Sequence, residues 1–163
     1  MIDTRPATPL DARPMAALLN AIIEKGGTTA LVRPVTAEDL HDWMEEETPG
    51  RSAWHVAVAE DGEIVGFQWI EPAQYLPEDA AEIATFVQIG RTGLGIGSAL
   101  FEATKKAARH IGYAWINANI RADNDGGLVY YQSRGFRDYD RWEGYKLENG
   151  EVVDKVLKRY DLD

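Results

Sequence analysis

The chain has 163 residues, no cysteine, 27 acidic against 17 basic side chains, a formal net charge of −10 and 45% hydrophobic residues. That length suits one compact domain over residues 1–163, with enough core to fold without disulfide or metal staples. The absent thiols exclude a cysteine nucleophile, a Cys-ligated zinc and an iron–sulfur cluster. The acid excess argues against a nucleic-acid partner, because phosphate affinity comes from clustered Lys and Arg.

Residues 2–7 read as a first strand. Residues 11–24 form a helical pattern, with Asp11 at the cap, Pro14 in the first turn, and Met15, Leu18, Leu19 and Ile22 at helical spacing. Gly26-Gly27 ends it. Thr36 opens a second helix, with Asp39 completing a variant capping box and Leu40, Trp43 and Met44 forming its apolar stripe; Pro49-Gly50 stops it. A hairpin follows, residues 55–59 and 64–70, around an Asp61-Gly62 pair suited to a type I′ turn. After a loop at 72–79, residues 83–89 form a strand rich in β-branched and aromatic residues.

A glycine-rich turn, 90–97, then leads into a helix ending near Gly112. Ile96, Leu100, Ala103, Ala107 and Ile111 form its expected buried stripe, and Glu102 and Lys106 an i,i+4 pair on its outer face. Residues 113–120 alternate as a strand, 124–134 read as a short helix, and 136–142 and 152–160 as strands, the last after an Asn149-Gly150 turn. The order β-α-α-β-β-β-α-β-α-β-β implies a mixed α+β fold. The N-terminal Met-Ile-Asp-Thr-Arg-Pro has no apolar core of signal-peptide length, and no apolar run approaches a membrane span. A cytoplasmic protein with no membrane partner is therefore expected.

The turn Thr92-Gly93-Leu94-Gly95-Ile96-Gly97-Ser98 carries the chemistry. A helix N-terminus presents unpaired N–H groups and the positive end of the helix dipole, and glycines let an anion approach the backbone. A pyrophosphate is the natural ligand; an ordinary strand–helix turn is the plainer alternative. A P-loop needs a Gly-Lys-Ser/Thr sequence that is absent here. A dinucleotide fingerprint belongs near the first strand of a βαβ unit, whereas this turn follows four strands.

In this setting the segment resembles the acyl-CoA pyrophosphate loop of the GCN5-related N-acetyltransferase (GNAT) superfamily, Gln/Arg-x-x-Gly-x-Gly/Ala. Gly95 and Gly97 match, and Thr92 stands where Gln or Arg is usual, with Arg91 one place earlier. The run from Val58 to Gly66 is similar to the family's central hairpin. Asn124 with Tyr130-Tyr131-Gln132-Ser133-Arg134-Gly135-Phe136 is similar to its Asn…Leu-Tyr-x-x-x-Gly-Phe segment. The branch most resembled is that of phosphinothricin and methionine sulfoximine acetyltransferases, through Thr28-Thr29-Ala30, 37–43, 120–124 and 152–157.

The resemblance implies a GNAT-like fold, with a mostly antiparallel mixed sheet splayed at its middle. It also implies acetyl-CoA as co-substrate and a small-molecule primary amine, an amino acid or analogue, as acceptor. No metal is implied, and none of His41, His55 and His110 has a spaced partner. Glu82 falls on the position of the branch's catalytic glutamate and would act as general base; the alternative is a surface carboxylate. Tyr131 falls on the superfamily's thiolate-facing tyrosine, where this branch often carries histidine; packing with a polar tip is the alternative. The backbone of Thr85, Phe86 and Val87 would pair with pantetheine amides, and Thr92, Gly93, Leu94, Gly95, Ile96, Gly97 and Ser98 would cradle the pyrophosphate. Asn124 would bond pantetheine or cap the short helix. Trp69, Gln74 and Tyr75 are candidate acceptor contacts, and Arg33, Arg121 and Arg141 candidate carboxylate partners. Lys105, Lys106 and Arg109 read as a solvated helix face. A homodimer is common in the branch, and Tyr139, Trp142 and Tyr145 would supply its contact patch or pack internally. The rival readings are a non-catalytic acyl-CoA sensor and acetylation of polyamines, aminoglycosides or protein N-termini.

Overall fold

A computed structural model describes residues 2–45, 49–91 and 93–163. Seven strands form one sheet: β1 (Asp3–Pro6), β2 (Ala53–Val58), β3 (Ile64–Glu71), β4 (Ala80–Val87), β5 (Trp115–Arg121), β6 (Arg137–Lys146) and β7 (Val152–Asp161). Their spatial order is β1-β2-β3-β4-β5-β7-β6. All neighbours are antiparallel except β4 and β5. The helices are α1 (Ala12–Lys25), α2 (Ala37–Met44), α3 (Ile96–Ile111) and α4 (Asp125–Ser133). This is the mixed, mostly antiparallel sheet expected from the sequence.

The helices cover both faces. On one, α1 and α2 bury Met15, Leu19 and Leu40 against Trp54, Val56 and Phe67. Trp69 extends this layer, stacked on Trp54 with ring centroids 4.1 Å apart. On the other face Phe101 of α3 and Tyr131 of α4 pack with Ile70, Ile83, Ile116 and Phe136.

Several local expectations change. Asp11 does not cap α1 through its side chain; its carboxylate takes two hydrogen bonds from Arg5, at 2.8 and 2.9 Å, and one from the Thr8 N–H. A charged guanidinium is the stronger partner, and the bond ties β1 to the start of α1. The Thr36–Asp39 capping box forms in both directions. The hairpin turn is not type I′, because only Gly62 has positive φ. Gly62 N–H bonds to Ala59 C=O and Ala59 N–H to Glu63 C=O, a three-residue loop closed by a left-handed glycine. β4 begins at Ala80, three residues earlier than its β-branched pattern suggests, because pairing with β5 overrides propensity there. The buried stripe of α3 is Ile96, Leu100, Phe101, Thr104 and Ala108, and Glu102 pairs with Lys105 at 2.8 Å and not with Lys106.

Candidate active site

β4 and β5 pair only from Ala80–Trp115 to Ile83–Ala118. Beyond that point β4 stays on β3, with Thr85 opposite Gln68, Phe86 opposite Phe67 and Val87 opposite Gly66. β5 stays on β7 through Asn119, Ile120 and Arg121. Two neighbouring strands thus part in mid-sheet, and each presents an unladdered edge to the gap. Such an edge is a template for any extended ligand bearing amide groups.

The glycine turn lies at the wide end of this gap. Gly93 and Gly95 both have φ of +82°, and a Cβ added at either meets nothing, so their outer side is open. The first helical hydrogen bond of α3 runs from Ala99 N–H to Gly95 C=O at 3.0 Å. The N–H groups of Ile96, Gly97 and Ser98 therefore have no partner within the helix. Two cations stand close. Arg134 donates to the Ser98 hydroxyl, and Arg91 is held by Gln88 at 2.7 Å. This arrangement suits a diphosphate, with the backbone supplying donors against the chain's overall negative field. Thr92 lies outside the described residues.

The α3/α4 face of the gap is a closed hydrogen-bonded network. The hydroxyls of Tyr131 and Thr85 are 2.8 Å apart, Gln68 Nε2 donates to Thr85 Oγ1 at 2.8 Å, and Tyr130 donates to Gly97 C=O at 2.7 Å. Gly97 is required here: a Cβ would meet Tyr130 Cε1 at 2.6 Å. Burial pushes the Tyr130 phenol up to about 12 and raises Tyr131 as well, so both hydroxyls keep their protons at neutral pH. Gln68 Oε1 is buried with no hydrogen-bond partner among the described residues.

The opposite face holds Glu82. Direct cross-strand partners share a face, so Glu82, Asn117, Asn119, Arg121 and Lys155 all project on the α1/α2 side. Tyr75 donates to Glu82, and Asn117 Nδ2 donates to the Tyr75 hydroxyl at 3.0 Å. Tyr139 donates to Asn117. Burial raises the Glu82 carboxyl above the ordinary glutamate range; the Tyr75 hydrogen bond and the Lys155 charge pull it partly back. A carboxylate so placed is a stronger proton acceptor than a solvated one.

Comparison with known proteins settles the family. Residues 17–136 match the acetyltransferase (GNAT) family. The chain belongs to the GNAT acetyltransferases. It is 28% identical over 156 residues to YwnH of Bacillus subtilis, a protein provisionally named a phosphinothricin acetyltransferase, covering 93% of this chain and 90% of that one. It is 27% identical over 149 residues to the phosphinothricin N-acetyltransferase of Streptomyces viridochromogenes, covering 89% and 80%. Its fold superposes on a GNAT phosphinothricin acetyltransferase from Sinorhizobium meliloti, solved with acetyl-CoA, at a TM-score of 0.88 with 17% identity over 99% and 88% of the chains.

As a GNAT acetyltransferase the protein uses acetyl-CoA, which supplies an activated acetyl thioester. The structure brings Glu82, Tyr75, Tyr131, Thr85 and the glycine turn to one gap. Asn124 caps α4, accepting from Gly127 N–H at 3.0 Å, while its Nδ2 holds Thr28 C=O at 3.0 Å. Trp69 sits in the aromatic layer, and Gln74 is exposed with no bond to the Glu82 cluster among the described residues. Among the described residues no group of His, Asp and Glu is arranged to hold a metal ion, and no helix is long and apolar enough to cross a membrane. A cavity of about 530 Å³ beside Trp54, His55 and His41 shares none of these residues. The β4–β5 gap is by contrast an open slot between strands. Sequence reasoning missed Gln68, Asn117, Asn119 and Lys155. The one signal was polarity inside runs that otherwise read as core strands.

Proposed function

We propose that the protein moves the acetyl group of acetyl-CoA to the primary amine of a small amino acid or analogue, of the phosphinothricin or methionine-sulfone kind, by direct attack. Glu82 is the general base. An amine of pKa about 10.4 is roughly 3.4 units from neutrality at pH 7, a deficit of about 4.6 kcal/mol, and a raised-pKa carboxylate at the gap accepts the proton that must leave. Tyr131, kept protonated by burial, donates to the departing thiolate on the other face. Thr85, Phe86 and Val87 pair through their backbone with pantetheine, near Asn124, and residues 92–98 hold the pyrophosphate. Trp69, Gln74 and Tyr75 border the acceptor. The carrying observation is that Glu82 and Tyr131 flank one gap from opposite faces of the sheet. One domain over 1–163 does this work, acting as a cytoplasmic homodimer. The dimer is supported by the exposed edges of Tyr139 and Tyr145, 40% and 43% accessible on an edge strand.

The test is a thiol-release screen with acetyl-CoA against amino acids, methionine sulfone, phosphinothricin and polyamines. Turnover is expected with a zwitterionic amine. Acetyl-CoA binding without turnover on any amine turns the reading to a sensor.

A further inference from the structure

The side proposed for the acceptor contains a buried cation with no anion of its own among the described residues. Lys155 is 6% exposed, on β7, and among the described residues its ammonium makes a single hydrogen bond, to Asn119 Oδ1 at 3.3 Å. It also lies 4.8 Å above the Tyr145 ring. Among the described residues no carboxylate lies within ion-pair distance of it. An isolated ammonium out of water is costly, and such groups are normally paired or functional. Burial and the charge of Arg121 push its pKa down, while Glu82 pushes it up.

The arginines that the sequence offered as carboxylate partners are all engaged. Arg121 holds Asp123 at 2.9 Å and Glu151 at 3.6 Å, Arg141 holds Asp154 at 2.8 Å, and Arg33 holds Glu148 at 3.3 Å. Lys155 is different. Asn119 Oδ1 accepts from Lys155, Asn119 Nδ2 donates to the Tyr75 hydroxyl at 3.4 Å, and Tyr75 donates to Glu82. Three hydrogen bonds thus separate a cation from an anion on one face, with no direct pair between them. A small zwitterion presents the complementary charges, its amine for the anion and its carboxylate for the cation.

We propose that Lys155 is the specificity-determining residue for the acceptor, binding the carboxylate of a small amino acid whose amine is presented to Glu82. The assignment rests on the proposed amine acetylation. It commits the acceptor to a zwitterion and disfavours polyamines, whose second cation would face the lysine.

The test compares Lys155→Met and Lys155→Arg with the unaltered protein, using the best amino-acid acceptor and its carboxamide. The unaltered protein is expected to prefer the acid by about 30-fold in kcat/KM, the scale of one charge-assisted hydrogen bond to a buried group. Lys155→Met is expected to abolish most of that preference through the KM of the acid, and Lys155→Arg to restore part of it. Acetyl-CoA affinity serves as the check that the variants are folded. A preference that survives Lys155→Met, or an equal loss on acid and amide, overturns the assignment while leaving acetylation intact. If no amine releases thiol, calorimetry of the CoA-loaded protein with methionine sulfone decides. Binding lost in Lys155→Met keeps the lysine's role and overturns acetylation; binding equal in both, or absent from both, overturns the lysine's role too.

Discussion

The two faces of the β4–β5 gap are built on opposite plans. The face toward α3 and α4 sets a Gln68–Thr85–Tyr131 network beside backbone and close approach: helix N–H groups at residues 96–98, glycines with an open outer side, and a tyrosine ring packed where Gly97 has no Cβ. The face toward α1 and α2 is made from side chains on four different strands and a loop: Tyr75, Glu82, Asn117, Asn119, Tyr139 and Lys155. On the proposed function the difference has a reason: a donor common to the family meets backbone, and an acceptor that varies meets replaceable side chains.

The largest effect that would break this contrast is on the face that holds Glu82. Glu82→Gln is expected to lower kcat by about 10²-fold at pH 7, with a smaller loss at high pH where more of the amine is already neutral. In the unaltered protein the acid limb of the rate profile should lie above the usual glutamate pKa, because burial raises that of Glu82. The sign for stability is opposite. A carboxyl whose folded pKa is raised weakens the fold as pH climbs past its unfolded value, so thermal melts of Glu82→Gln at pH 7 should match or exceed those of the unaltered protein.

Next is Tyr131→Phe. Loss of the proton donor should slow turnover by about tenfold, the scale of one catalytic hydrogen bond, with acetyl-CoA affinity unchanged by calorimetry. An unaltered rate removes the role.

On the α3/α4 face, Gly97→Ala forces a methyl into the Tyr130 ring and should destabilise by about 1–3 kcal/mol, read as a loss of several degrees in Tm together with weaker acetyl-CoA binding. A wild-type melt would show that the close approach is not a constraint.

The smallest effect lies remote from both faces. Asp11→Asn should cost about 1 kcal/mol, modest because Arg5 is half exposed. Asp11 has a depressed pKa, first through the Arg5 hydrogen bonds. Its contribution is present above the unfolded value and lost as pH falls through the folded one. Chemical denaturation at pH 7 and at pH 3 should therefore show the mutant's penalty shrinking at acid pH.

Much of this was legible without coordinates where the signal is local. The order of elements, the Thr36–Asp39 box and the glycine turn into α3 each depend on residues a few positions apart. Glu82 and Tyr131 were named from motifs in register, and their proposed roles await the experiments above. Errors came where a neighbour decided. β4 starts early because β5 pairs with it, and Asp11 leaves the helix cap because Arg5 is the stronger partner. Lys155 read as one more polar residue in a strand, since nothing near it in the chain says that it is buried with Asn119 of β5 and Tyr145 of β6 against its ammonium.

The sequence by itself determined the order of helices and strands and the glycine turn into α3, because short-range periodicity and glycine placement act over a turn or a strand; the resemblance of several motifs in register pointed to the family. Only the tertiary structure decided that β4 and β5 part after Ile83 and Ala118, that Glu82 and Tyr131 face that gap from opposite sides, and that Lys155 is buried with no counter-ion among the described residues. Those facts depend on register between distant strands, and shifting a strand by one residue would send each of these side chains to the other face.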